Sequence, residues 1–316
     1  MSNLQKYLLT GAATVALAVG GASVAQATPL PFSIDPNVIP GISGYSTSVT
    51  ATDIQGTSDS LIQQVDSASL GSGHTNVQFE QGWVEVTGFQ NNGAVVNDLH
   101  SGENTSNDPT GRTNEYTLYL VFTSTVTGIG GFGPGQSGSI APGAFNFVLY
   151  ADPKADDTFA AGSTSNTGGT PPTVTDNLTN DFVLAYGTSV TGSAGFAPST
   201  GAPFTDVITT FTLCNGTNSG IGNALGVCGT FNSTTYFTAP SPFYNLAFTS
   251  TISGSAANLS PVNGGPPPNV TLNGVVTDTN FLVPEPTSLA LLGGALVGLG
   301  ALSRRRRRRG QSPSAG

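Results

Sequence analysis

Basic residues are scarce in this chain and lie mostly at its two ends. Lys6 and six consecutive arginines near the C-terminus account for seven of the nine, which leaves Arg112 and Lys154 between them. Because residues 28–283 also hold 17 of the 18 acidic residues, this part has a formal net charge of −15. Such a surface repels nucleic acid and anionic lipid and attracts divalent cations. Nucleic acid is therefore not an expected partner.

Motifs for catalysis are also lacking. The two histidines, His74 and His100, are isolated in sequence, and no nucleophile elbow, HExxH or paired CxxC is present. Two acid pairs are conceivable for glycosidic cleavage, Glu80 with Glu85 and Asp156 with Asp157. Nothing favours these pairs over solvated acids, so we expect a non-enzymatic protein without a cofactor.

Helical hydrophobic periodicity is weak between the two ends, where period-two alternation dominates. Strand-like runs occupy residues 77–89, 115–123, 145–150, 181–186, 206–213, 230–238 and 243–252. Residues 28–283 are close to the upper size of a single all-β domain. We expect one antiparallel β-sandwich of jelly-roll type with about eight to twelve strands, and a barrel is the second arrangement that the pattern allows.

Two of these runs carry more specific signals. Apolar and aromatic side chains occupy both alternating faces of residues 115–123, which predicts a buried central strand. Gly82 interrupts residues 77–89 and predicts a bulge between two short strands. The single tryptophan, Trp83, is interpreted as a packed aromatic rather than a sugar-stacking platform.

Turn and loop signals separate the runs. Asn92-Gly93 and Asn273-Gly274 favour the positive φ values of tight hairpin turns, and residues 270–277 are the stronger of the two hairpin predictions. Two low-complexity segments, residues 160–173 and 261–268, are rich in glycine and proline and predict exposed loops.

Cysteine occurs twice, at Cys214 and Cys228. In an oxidising compartment an even pair predicts a disulfide, and closing a loop of this size contributes about 3 kcal/mol in the chain-entropy model. The alternative is a pair of reduced or metal-binding thiols, for which the isolated histidines offer no partner. The sequence favours the disulfide.

Three aspartates follow the run at residues 145–150, namely Asp152, Asp156 and Asp157. Ca²⁺ prefers several carboxylate and carbonyl oxygens on one flexible loop, so this cluster is the best candidate for a metal site. It lacks the spacing of an EF-hand. The alternative is a solvated turn, and the sequence leaves both interpretations open.

The N-terminus has the order of a secretory signal peptide. Lys6 precedes an apolar run over residues 7–19, and Ala25-Gln26-Ala27 supplies the small residues that a signal peptidase needs. We expect residues 1–27 to be removed before Thr28, with signal peptidase as a partner. A membrane-retained helix is the alternative, which the shortness of the run disfavours.

The last 33 residues contain three segments in order. Pro284, Glu285 and Pro286 keep the chain extended, because proline fixes φ and disfavours α geometry in the preceding residue. Residues 289–302 are apolar, and a helix of this length spans about 21 Å, short of a hydrocarbon core of about 30 Å. A basic cluster follows, made of Arg304, Arg305, Arg306, Arg307, Arg308 and Arg309. The positive-inside bias holds this cluster in the cytoplasm, so the segment suits transient insertion into the inner membrane.

This order over residues 284–310 resembles the PEP-CTERM sorting signal of Gram-negative bacteria that export polysaccharide. The resemblance implies that an exosortase of the inner membrane is a partner and cuts at Pro284-Glu285-Pro286. The protein is then expected at the cell surface or in the extracellular matrix. An ordinary C-terminal anchor is the alternative.

Short motifs within residues 28–283 resemble the flocculation-associated PEP-CTERM protein PepA group. These motifs are Phe32-Ser33-Ile34-Asp35-Pro36, Asn114-Glu115-Tyr116-Thr117-Leu118-Tyr119 with Phe122-Thr123-Ser124, Phe147-Val148-Leu149-Tyr150-Ala151-Asp152-Pro153 and Ser241-Pro242-Phe243-Tyr244. The resemblance implies a non-enzymatic surface or matrix protein that retains exopolysaccharide and promotes floc and biofilm formation. A secreted lectin-like module is the second hypothesis, and a glycan hydrolase is the third.

Overall fold

The computed structural model describes residues 29–45, 49–65, 77–96, 116–129, 134–154, 156–165, 168–175, 181–199, 201–216, 222–223, 226–252, 259–261 and 269–281. The expected signal peptide and the expected sorting signal lie outside the described residues, as do His74, His100 and Arg112. Within the described part, regular structure consists of twenty β-strands and one short 3-10 turn, Pro36–Val38. The predicted all-β class is confirmed.

The strands fall into a long set and a short set. In chain order they are β1 (Phe32–Ile34), β2 (Val49–Ala51), β3 (Asp53–Val65), β4 (Val77–Asn91), β5 (Ala94–Val96), β6 (Thr117–Thr127), β7 (Ser137–Asp152), β8 (Thr158–Ala160), β9 (Ser163–Ser165), β10 (Gly168–Thr170), β11 (Thr173–Thr175), β12 (Phe182–Phe196), β13 (Pro203–Thr210), β14 (Thr212–Leu213), β15 (Gly222–Asn223), β16 (Gly226–Val227), β17 (Phe237–Ala239), β18 (Leu246–Ile252), β19 (Leu259–Pro261) and β20 (Asn269–Phe281). Eight of these strands contain seven residues or more, and the rest contain two or three.

The eight long strands form one closed antiparallel sheet. Their order is β13, β18, β20, β3, β4, β6, β7 and β12, and β12 pairs again with β13 to complete the ring. The predicted antiparallel pairing is confirmed. The strands form a barrel, the second arrangement that the pattern allowed, rather than two stacked sheets. Bulges that bend long strands make closure possible, and one lies in β12 between Thr188 and Gly192.

Alternation along β6 places side chains inside and outside this barrel. Leu118 and Phe122 belong to the hydrophobic core and Leu120 packs against it, whereas Tyr119 points outward. Tyr119 is nevertheless 1% exposed, because its ring stacks on Tyr150 with 5.0 Å between the centroids. Both faces of β6 are therefore covered, and the prediction of a buried central strand is confirmed.

One end of the barrel closes on an aromatic cluster. The ring of Phe281, at the end of β20, lies 4.9 Å from Phe211, 5.0 Å from Phe32 and 5.0 Å from Phe243 between centroids. Phe32 belongs to β1, which pairs with β2 and β17 in a separate small sheet. Burying each of these rings contributes about 1.5–3 kcal/mol, so the N-terminal segment is held firmly on this end.

The two Asn-Gly pairs have different outcomes. Asn92 and Gly93 have φ values of 51° and 79° and join β4 to β5, so the first predicted hairpin is confirmed. The second is wrong, because Asn273-Gly274 lies inside the continuous strand β20. Leu272 pairs with Ser60 and Val275 with Ser58, so the two residues form a bulge. Pairing with β3 on both sides overrides the local turn preference.

The bulge predicted at Gly82 is also wrong. The register runs unbroken through this position, with Gly82 opposite Ser60 and Trp83 opposite Asp59. Glycine is required for a different reason, since a Cβ at Gly82 would lie 2.3 Å from the carbonyl oxygen of Asp59. The strand expected over residues 230–238 is reduced to β17, because residues 233–236 form a turn.

Residues 158–165 and 168–175 form a two-stranded ribbon on the outside of the barrel, which we call the strap. In it β8 pairs with β11 and β9 with β10, so the prediction of an exposed loop over residues 160–173 is wrong in part. Phe159 lies 5.0 Å from Trp83 between ring centroids. Trp83 is 6% exposed and confirmed as a packed aromatic. The other low-complexity segment lies outside the described residues except for Pro261.

Candidate functional site

The inside of the barrel contains two adjoining cavities of about 60 Å³ and about 20 Å³. Both are lined by Glu80, Leu272 and residues 203–205. The larger cavity extends toward phenylalanines 122, 145, 147 and 211, and the smaller one toward Gln78 and Ile129. One wall of this space is thus polar, whereas the other is aromatic.

Among the described residues that line these cavities, Glu80 is the one with an ionisable side chain. It alternates with Val84 and Val86 on the inner face of β4, which places a carboxyl group inside the barrel. The side chain is 7% exposed, and the Ser60 hydroxyl donates a hydrogen bond of 2.6 Å to its Oε1. Burial raises the pKa of Glu80 above its usual range, and the bond from Ser60 opposes part of that rise.

Two more buried polar groups lie next to Glu80 on the inner surface. Ser124 is its direct cross-strand partner on β6, and Gln78 is two residues away on the same face of β4. Within the described residues, neither the Gln78 Nε2 nor the Ser124 Oγ has a hydrogen-bond partner. Each unmet buried group costs about 1–3 kcal/mol. Gln78 lines the smaller cavity, which can hold a partner for its amide, whereas Ser124 lines neither cavity.

The sequence makes Glu80 and Glu85 a conceivable pair for glycosidic cleavage, which nothing favours over solvated acids. The alternation of side chains along the strand could have placed Glu80 inside the barrel, because Glu80, Val84 and Val86 share one face of an alternating run. The same alternation places Glu85 on the outer face. Glu80 and Glu85 therefore point to opposite sides of β4, and the structure does not bring them together as a glycosidase pair.

The structure does bring the three predicted Ca²⁺ ligands together. One carboxylate oxygen from each of Asp152, Asp156 and Asp157 lies within 4.8 Å of the others. The Asp152 carboxylate is buried and accepts three backbone bonds, from the N–H groups of Lys154, Asp156 and Asp157 at 2.8, 2.8 and 3.3 Å.

These bonds organise the turn between β7 and the strap without a metal, because the carboxylate itself satisfies the three backbone donors. Ca²⁺ binding therefore stays a prediction. Calorimetric titration with millimolar Ca²⁺ tests this prediction. Heat of binding together with a higher melting temperature would favour the metal site, whereas the absence of both would favour a solvated turn.

The predicted disulfide is present between Cys214 and Cys228. Cys214 follows β14 and is fully buried, and Cys228 is 3% exposed. The backbone N–H and the hydroxyl of Ser233 both donate to the Cys214 carbonyl oxygen, at 2.7 and 2.6 Å. The bridge therefore ties the segment around Phe231 to the end of β14.

The predicted sorting residues, Pro284, Glu285, Pro286 and the arginines at 304–309, lie outside the described residues. In the part of the chain that the structure describes, no helix is long and apolar enough to span a membrane.

Comparison with known families identifies the C-terminal segment. Residues 282–308 match the PEP-CTERM protein-sorting motif. No curated protein and no solved structure matches the chain. The motif indicates an exported protein that is sorted to the cell envelope and recognised by an exosortase.

Proposed function

We propose that this protein is a non-enzymatic component of the bacterial surface or extracellular matrix that helps retain exopolysaccharide and binds cells into flocs. The sorting motif at residues 282–308 is the observation that carries this proposal. An exosortase would cut at Pro284-Glu285-Pro286 and release the acidic β-barrel outside the inner membrane. The short motifs similar to the PepA group support the flocculation role.

The outer surface of the barrel supports contact with polysaccharide. Gln81, Thr123, Asn146 and Thr188 follow one another in register across β4, β6, β7 and β12, and all four are half-buried. Neighbouring strands are about 4.8 Å apart, so these side chains form a row of amide and hydroxyl groups. Such groups can hydrogen-bond the hydroxyls of a glycan.

Charge supplies a second means of retention. With a formal net charge of −15 over residues 28–283, the released domain attracts divalent cations, which can bridge its acids to an anionic polymer. Weak multivalent binding of this kind differs from the saturable binding of one oligosaccharide that a lectin-like module would show.

Deleting the gene tests the matrix role. The proposal predicts slower settling of cells, less cell-bound polysaccharide and more polysaccharide in the medium, because the retaining protein is missing. Complementation with the intact chain should restore all three, whereas a chain with Pro284, Glu285 and Pro286 replaced by alanine should not. Unchanged settling and polysaccharide retention in the deletion strain would rule out the matrix role without affecting the sorting assignment.

Carbohydrate binding can be tested separately on purified protein. Replacing Gln81, Thr123 and Asn146 with alanine should weaken retention on immobilised exopolysaccharide, and alanine at the exposed Thr158 on the strap serves as the control. Saturable binding of a defined oligosaccharide would instead favour a lectin-like module, and release of reducing ends from the polysaccharide would favour a hydrolase.

A further inference from the structure

The barrel leaves more space beside Glu80 than close packing does. Protein cores contain few voids larger than a water molecule, and a cavity volume of roughly 10–15 Å³ is enough to hold one water. The two cavities of about 60 Å³ and about 20 Å³ therefore admit several waters or one small molecule. A ligand of about three to five non-hydrogen atoms fits this volume.

The polar wall offers complementary hydrogen-bonding groups. The Glu80 carboxyl accepts one bond from Ser60 and has further acceptor capacity. Gln78 lines the smaller cavity, and its Nε2 is a donor that has no acceptor among the described residues. A fitting ligand thus has one strong donor group and one acceptor atom.

The opposite wall favours a short apolar body. Phe122 and Phe145 stack with 5.6 Å between their centroids, and Phe147 and Phe211 line the same cavity with a spacing of 5.9 Å. Aromatic faces attract cations when water is excluded. They also remove methylene groups from water at about 0.8 kcal/mol for each one buried.

Charge decides the nature of the donor group. Among the described residues that line the two cavities, no lysine, arginine or histidine faces Glu80. A buried carboxylate without a counter-charge is costly, and a cation beside it removes much of that cost. An ammonium group supplies the charge and several donors at once.

We propose that the barrel interior binds a short amino alcohol, with its ammonium group at Glu80, its hydroxyl oxygen at the Gln78 amide and its methylene groups against the apolar residues that line both cavities, Phe204 and Leu272. This site is independent of the sorting motif and of the outer surface that the matrix role uses. The ligand gives the Gln78 amide the acceptor that it lacks among the described residues. Ordered water alone is the competing occupant.

The test is calorimetric titration of the purified full chain with matched small molecules. The main probe is 3-aminopropan-1-ol, with propylammonium lacking the hydroxyl and 1-propanol lacking the ammonium group. The proposal predicts that 3-aminopropan-1-ol binds most tightly and that each partial ligand binds at least about tenfold more weakly, because one wall contact is lost. Equal affinity of 1-propanol, or no binding of any probe at about 100 mM, would overturn it.

A variant pair locates the site. Glu80→Gln keeps the size of the side chain and removes its charge, so it should weaken binding of 3-aminopropan-1-ol at least about tenfold. Glu85→Gln, on the outer face of the same strand, should leave the affinity unchanged. Unchanged affinity in Glu80→Gln would place the ligand elsewhere and contradict the proposal. The comparison of the three probes on the unaltered chain needs no variant and stands even if Glu80→Gln folds poorly.

Discussion

At the scale of single residues, Glu80 links the folding of the barrel to pH. Burial raises its pKa, so the folded barrel keeps this proton at pH values where the unfolded chain has released it. The favourable contribution is fully present below the unfolded pKa, which is about 4.3. It falls as pH rises toward the folded pKa, because the unfolded state then binds fewer protons. Stability of the empty barrel should therefore decline from acid toward neutral and alkaline pH.

Replacing Glu80 with glutamine should flatten this dependence. The variant has no proton to lose at this position, so its free energy of unfolding should change less between about pH 4 and about pH 9. At the alkaline end, the free energy of unfolding of Glu80→Gln should exceed that of the wild type by about 1.4 kcal/mol for each pH unit by which burial raises the pKa of Glu80. Urea unfolding across this pH range measures the effect. Glu85→Gln is the control, since Glu85 is less buried and its change should be smaller. A steeper dependence in Glu80→Gln would refute the linkage.

A second residue-scale prediction concerns the close approach of two strands. Gly82→Ala would place a methyl group against the Asp59 carbonyl oxygen. The paired backbones of β3 and β4 cannot easily move apart to relieve this clash. We expect a loss of about 1–3 kcal/mol in the free energy of unfolding. Gly88→Ala on the same strand meets no atom within 4 Å and should change stability by less than about 1 kcal/mol. Equal effects of the two substitutions would contradict this explanation.

At the scale of elements, the strap covers an aromatic patch on the outer face of the barrel. Trp83 donates from Nε1 to the Ala160 carbonyl oxygen at 3.2 Å, and Phe159 packs on both Trp83 and Tyr119. The opposite arm of the strap lies on Leu61, where a Cβ at Gly169 would come within 2.8 Å of that side chain. Contacts at both arms therefore seat the strap on the barrel.

The single tryptophan makes this contact directly measurable. Phe159→Ala removes the ring over Trp83 and should expose the indole, so its fluorescence emission should shift to longer wavelength and its quenching by acrylamide should increase. Thr158→Ala, at the neighbouring exposed position, should leave both signals unchanged. An unshifted emission in Phe159→Ala would show that Trp83 is shielded by something other than the strap.

Alternation in the sequence was enough to predict the antiparallel all-β class, the central strand β6 and the packed state of Trp83. It was not enough to predict closure, because closure depends on pairing between β12 and β13 and on bulges that have no local signature. At Asn273-Gly274 the error is the opposite one, because a local signal predicted a turn that the structure does not form. The turn preference of this pair is real in isolation, yet pairing with β3 along the whole of β20 outweighs it. Tertiary pairing also explains why residues 160–173, with their glycine and proline pairs, form a ribbon.

The functional sites were predictable to different degrees. The sorting signal is a linear motif, so its three segments can be read from sequence alone, and so can the pairing of the chain's two cysteines. The interior cavity depends on side chains from several strands, and sequence gives no measure of the space between them. The alternating pattern could assign Glu80 to an inner face, but not to a cavity that it shares with an unpartnered Gln78 amide.

At the scale of the whole molecule, the sorting signal and the net charge of the chain are connected, because the signal contains most of the basic residues. Six of the nine basic residues are the arginines of the C-terminus, so the proposed cut at Pro284-Glu285-Pro286 would remove most of the positive charge of the chain. The released domain is then strongly anionic, and its closed barrel gives the long strands a partner on both sides. Closure protects the domain from self-association, because open strand edges promote aggregation.

Removal of the tail is the central claim, and mass spectrometry of the protein recovered from the envelope and the culture fluid of the native host tests it most directly. The account predicts a C-terminus at or near Pro284-Glu285-Pro286, with the apolar segment and Arg304–Arg309 missing, and an uncut chain when those three residues are replaced by alanine. Recovery of the full-length C-terminus with its arginines from the extracellular fraction would contradict it.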